Sequence, residues 1–112
     1  MNISPLHTKI VEKKRVNDVT IIRESPDNYP RGKSNIYAIN DASCIVWFAE
    51  LPITGDIYVN PIQWNKEINI NSNNWNSFYE NDSDSFVVSS WNCFTVSIDC
   101  KTGKIKNKVF TK

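Results

Sequence analysis

At 112 residues the chain has the length of one domain, and 40% hydrophobic and 12% aromatic residues give it enough apolar surface for a core, which excludes a disordered chain. The net charge of +1 hides a segregation: residues 1–40 carry seven Lys/Arg against four Asp/Glu, residues 41–100 one against eight, and residues 101–112 five against none. A central block of −7 between basic flanks predicts an acidic face, and a pI of 7.7 argues against nucleic-acid binding, which calls for a domain above ~9.

In chain order, MNISPLHTKIVEKKRV lacks the apolar core and small-residue cleavage site of a signal peptide, and no apolar run approaches the ~20 residues of a membrane helix. Both point to a cytoplasmic protein that does not meet a membrane. KIVEKKRV, the dipeptide Asn17-Asp18 and VTIIRE read as a β-hairpin whose first strand is a charged edge. SPDNYPRGKS is a loop punctuated by Pro26, Pro30 and Gly32.

NIYAIN (35–40) and CIVWFAEL (44–51) form the next hairpin, and the second strand, apolar on both faces, is expected to be central. Pro52 ends it, Thr54-Gly55-Asp56 turns the chain, and DIYVN gives a short strand. IQW and INI follow, either side of Lys66-Glu67. Residues 71–85, NSNNWNSFYENDSDS, form a long polar loop with room for one helical turn near 73–80. SFVVSS (85–90), a turn at Trp91-Asn92 and CFTVSID (93–99) make another hairpin, and KIKNKVF closes the domain after Lys101-Thr102-Gly103.

The expected fold is therefore all-β: an antiparallel sheet or sandwich of about 8–10 short strands in a single domain spanning 1–112. Ile21, Tyr37, Ile39, Ile45, Trp47, Val87, Phe94, Val96, Ile98 and Ile105 are the expected core. A weak repeat at a shift of 59 residues sets Ile39-Asn40-Asp41 against Ile98-Asp99-Cys100, dividing the chain into units of about 18–60 and 62–112.

Little here could perform catalysis. The one histidine, His7, lies in an N-terminal segment expected to fray, and the three glycines suit turns rather than a phosphate loop. Cys44, Cys93 and Cys100 are odd in number and include no CxxC pair. Cys93 and Cys100, read as one strand, would stand about 23 Å apart, beyond disulfide reach. Thiols packed in a core within a reducing compartment are expected, with no metal and no cofactor. The chain thus reads as a binder rather than an enzyme.

The expected contact is the long loop. Glu80, Asp82 and Asp84, at i, i+2, i+4, project to one side of an extended segment. They read as calcium ligands, as a solvated acidic loop, or as a surface for a basic protein. Against calcium stands the absence of an EF-hand glycine and distal glutamate. For the protein surface stand Trp75, Phe78 and Tyr79 immediately before the acids and Trp91 at the next turn, since acids beside aromatics supply steering and an apolar anchor. The alternative for Trp75 and Phe78 is that they fold back to plug one end of the sheet. Lys104, Lys106 and Lys108 are read as keeping an edge strand soluble.

Two resemblances add to this. VSIDCKTGKI (96–105) is similar to the blade signature of quinoprotein-like β-propellers, Leu-Asp-x-x-Thr-Gly, and NIYAINDASCIVW (35–47) resembles a reduced copy ending in the Trp such blades favour. A closed propeller needs at least ~4 four-stranded blades, so the resemblance implies a two-blade, half-propeller-like sheet without quinone binding. The run SNIYAIN, IVWFAELP, SFVVSSWNCFTVSID and FTK resembles small immunity proteins of contact-dependent growth inhibition and other polymorphic toxin systems. That resemblance implies a monomer when free that forms a heterodimer with a cognate basic toxin, such as a nuclease, and blocks its active site. The competing expectation is a propeller-like module that assembles with itself through edge strands.

Overall fold

In a computed structural model that describes residues 5–64 and 85–110, the described strands form two four-stranded antiparallel sheets. The first contains β1 (Ile10–Val16), β2 (Val19–Glu24), β3 (Ile36–Ile39) and β4 (Ile45–Phe48). The second contains β5 (Gln63–Trp64), β6 (Ser85–Ser89), β7 (Phe94–Asp99) and β8 (Ile105–Phe110). In both sheets the order in space is the order in sequence, with antiparallel pairing throughout.

The period of two along each strand decides what the sheets share. Ile21 stands opposite Ala38, and Ala38 opposite Trp47, so these three share a face. With Ile36 and Ala49 they pack in one cluster with Phe86, Val88, Val96, Ile98 and Cys100 of the second sheet. Trp47 lies nearly parallel to Phe86, centroids 6.4 Å apart, and its indole N–H donates to the Cys100 carbonyl at 3.1 Å. A buried indole thus keeps its donor satisfied while its rings fill the junction. Glu12 joins the sheets a second way: it pairs with Arg23 of β2 and accepts from the Ile62 backbone N–H at 2.8 Å. On the opposite face Ile22, Tyr37 and Ile39 form a smaller buried cluster.

The apolar strand β4 is an edge strand, not the central one its composition predicts. Trp47 is its only buried residue; Ile45, Val46 and Phe48 are 40%, 47% and 50% exposed, so Ile45 is not core. Val87, Phe94 and Ile105 are half-buried rather than sealed: Phe94 and Ile105 pack against the rim of the shared core, while Val87 lies on the other face of β6 from Phe86 and Val88. The remaining expected core residues are buried, and β1 is the charged edge strand anticipated.

DIYVN provides a single bridge, Tyr58 to Ser90, rather than a strand. The buried Asn35 amide takes the place of a strand partner. Its Nδ2 donates to the carbonyls of Glu24 and Tyr58, both at 2.8 Å, while its Oδ1 accepts from the Tyr58 N–H at 3.0 Å. Tyr58 is thereby held to both sheets.

The N-terminal segment is tied down from Leu6, contrary to the expected fraying. The backbone N–H groups of Leu6, His7 and Thr8 all donate to the Glu24 carboxylate, and the His7 ring meets Tyr29 edge-on at 5.0 Å. Of the cysteines, only Cys100 is buried; Cys44 and Cys93 sit in exposed turns, so core packing does not account for them.

The turns at Asn40 and Asp99, 59 residues apart, are built alike. Asn40 Oδ1 accepts from the N–H groups of Ala42 and Cys44, and Asp99 Oδ1 accepts from that of Lys101. Each hairpin closes through the N–H of its Asx residue, to Cys44 O and to Lys104 O. Each carries a register shift just before the turn, at Ala38/Ile39 and at Ser97/Ile98.

Candidate binding site

Three turns converge beside the Tyr58 bridge. The first is the loop after β2, where Pro26 and Pro30 prevent strand pairing and Asn28 takes a left-handed conformation, φ 66°. The Tyr29 side chain is buried there and its hydroxyl donates to Ser34 O at 3.0 Å. Burial, then the charge of Glu24, pushes the Tyr29 hydroxyl up to about 12, so it remains a neutral donor.

The second turn ends in Asp56, whose backbone N–H donates to Ile53 O. The third is Ser90–Cys93, closed by hydrogen bonds from Ser90 N–H to Phe94 O and from Cys93 N–H to Ser90 O. The last two are cross-linked: the Trp91 N–H donates to Ile57 O at 2.8 Å, and Asp56 Oδ1 accepts from the N–H groups of Ile57 and Asn92.

Between these turns lies a cavity of about 350 Å³, lined by residues including Pro26, Tyr29, Arg31, Asp56 and Trp91. Trp91 is 71% exposed although its backbone is pinned. Asp56 is 1% exposed, and its Oδ2 is buried without a hydrogen bond among the described residues.

Among the predicted contact residues, Trp91 is at this site. Trp75, Phe78, Tyr79, Glu80, Asp82 and Asp84 lie outside the described residues, as does the helical turn expected near 73–80. Asp56, Tyr29 and Arg31 escaped sequence reasoning. An aspartate after Thr54-Gly55 reads as turn chemistry, and nothing local marks it as buried.

The acidic block is not a single acidic face among the described residues. Asp41 pairs with Arg15, Glu50 accepts from the Ile105 N–H, Asp99 caps its own turn and Asp56 is buried. Its other acids, Glu67, Glu80, Asp82 and Asp84, fall outside the described residues. Among the described residues no three His, Cys, Asp or Glu are placed to hold a metal ion, and no helix is long and apolar enough to cross a membrane. No protein-family model, curated protein or solved structure matches the chain.

Proposed function

We propose that this chain is a cytoplasmic immunity protein that binds a cognate bacterial toxin, a basic domain such as a nuclease, and occludes its active site. The observation that carries the proposal is Trp91: a large aromatic, mostly in solvent, on a turn whose backbone is fixed by its own hydrogen bonds and by others to Asp56 and Ile57. A tryptophan on a fixed backbone loses less entropy on binding than one on a mobile loop, and tryptophan is among the residue types enriched at interface hot spots. In this reading Trp75, Phe78 and Tyr79 extend the apolar contact. Glu80, Asp82 and Asp84 face the phosphate-binding, electropositive surface of the toxin.

The proposal requires a toxin domain encoded immediately upstream of this chain, and the test measures binding to that domain. Trp91→Ala should weaken its binding by about 10–100-fold in calorimetry, with thermal stability unchanged because the side chain is outside the core. Undiminished affinity would remove Trp91 from the interface.

A second reading is favoured by β4, which presents Val46 and Phe48 to solvent and, among the described residues, has a strand neighbour on one side only. The two meander sheets with matching Asx turns are then two duplicated blades of a half-propeller, and β4 recruits another copy. On this reading the mass seen by light scattering rises with concentration and Val46→Lys holds it at one chain. A constant monomer removes it.

A further inference from the structure

We infer that the cavity under Trp91 is a receptor for one cationic side chain, an arginine or a lysine, presented by a protein partner. The inference rests on the partner-binding reading above and names the chemistry that reading leaves open.

The argument begins at Asp56. Its Oδ1 is occupied by the N–H groups of Ile57 and Asn92, at 2.8 and 3.2 Å. Its Oδ2 is buried and has no hydrogen-bond partner among the described residues. An ionised carboxylate only accepts, so the missing partner is a donor. A buried anion is stabilised most by a donor that also carries positive charge. Arg31 lines the same cavity but is exposed and makes no hydrogen bond to that oxygen. The lining carries one cation, Arg31, and two acids, Asp27 and Asp56, so its formal charge is negative, and Asp56 is the buried charge of the three.

Trp91 supplies the second element. It lines the cavity while remaining 71% exposed, so it stands at the mouth, and an indole face is the best aromatic platform for a cation. Size supplies the third: about 350 Å³ lies at the low end of ligand sites, room for a single long side chain rather than a cofactor. The walls are set in advance by Pro26, Pro30 and the hydrogen-bonded turns, so little ordering is needed on entry.

The experiment titrates N-acetyl-arginine amide and N-acetyl-lysine amide into the ¹⁵N-labelled full chain, with the citrulline and norleucine amides as neutral counterparts. The arginine or lysine amide should shift the Trp91 indole N–H and the Asn92 backbone N–H saturably, with Kd on the order of millimolar, and the neutral amides should not. A larger response to arginine identifies a stacked guanidinium; a larger response to lysine identifies an ammonium.

Asp56→Asn keeps the acceptor at Oδ1 but sets an NH₂ where the vacant oxygen stood, and should weaken binding about tenfold or more. Trp91→Ala, which leaves the core untouched, should weaken it about fivefold. The inference is overturned by an equal response to the neutral amides, by no saturable shift, or by full affinity in a folded Asp56→Asn. Should Asp56→Asn fail to fold, full affinity in Trp91→Ala overturns it. If the amides fail yet Trp91→Ala still loses the toxin, the cation pocket is wrong and the partner reading stands. Amide binding without any toxin binding has the opposite meaning.

Discussion

Trp47→Ala should destabilise the protein by about 3–5 kcal/mol, a large part of the 5–15 kcal/mol that holds a typical domain together. Trp47 is the one buried residue of β4, it stacks on Phe86 of the other sheet, and its N–H is bonded to Cys100. Truncation opens a cavity between the sheets and leaves the Cys100 carbonyl without that donor. Gly103 completes the arrangement by lying against the indole. A Cβ there would stand 2.6 and 2.7 Å from Trp47 Cε3 and Cδ2 and 3.0 Å from the Phe48 carbonyl oxygen, and the glycine φ is +75°. Gly103→Ala therefore combines left-handed strain with overpacking, about 2–4 kcal/mol together. With Trp47 already alanine, the ring contact is gone and about 1–2 kcal/mol of backbone strain remains. Urea denaturation of both single variants and the double variant should show the losses falling short of additivity by about 1–3 kcal/mol. Strict additivity would mean that the glycine is needed for its backbone angle alone.

That pairing shows what a sequence can reveal of such a fold. The turn at Thr102-Gly103 and the hairpins at Asn17-Asp18 and Trp91-Asn92 are legible because a few adjacent residues determine them. Asn17, for instance, adopts φ 54°, which few other residues accept readily. The Trp47–Gly103 contact joins positions 56 apart, and no local pattern encodes it. The position of β4 is not legible for a related reason. Apolar residues on both faces signal burial on both faces, yet here Trp47 and Ala49 enter the shared core while Val46 and Phe48 face water. Periodicity gives the face of a strand but not its place in a sheet.

The candidate site divides the same way. Trp91 announced itself as an aromatic in a polar turn. Asp56 did not, because its burial depends on Ile57, Asn92 and the loop carrying Tyr29 coming together. The charge segregation was legible as a sum and misleading as a map. Arg15 of the basic flank pairs with Asp41 of the acidic block across the sheet, which holds that exposed carboxyl below its ordinary range.

Glu24→Gln should cost about 2–4 kcal/mol near neutral pH and progressively less in acid. The Glu24 side chain is fully buried, with Oε1 accepting from His7 and Thr8 and Oε2 from Leu6 and the Tyr37 hydroxyl. Glutamine offers one acceptor oxygen for these four donors, and its NH₂ faces two of them. Burial by itself raises the Glu24 carboxyl, but the hydrogen bonds from Tyr37, Thr8, Leu6 and His7 outweigh it, so the folded-state value lies below the ordinary 4.5. Between those two values the unfolded chain binds more protons than the folded one. The stabilisation is therefore complete above pH 4.5 and is lost as pH falls through the folded-state value. Wild type and Glu24→Gln should then differ by a constant amount from pH 5 to 9 and converge below 4.5, as read by urea midpoints. Both should weaken as pH rises above 10, because burial, the larger cause, holds Tyr29 and Tyr37 above that ordinary value in either protein. Amide exchange at Leu6, His7 and Thr8 should accelerate in the variant. A stability gap that persists undiminished into strong acid would show that the charge of Glu24 is not what anchors the N-terminal segment.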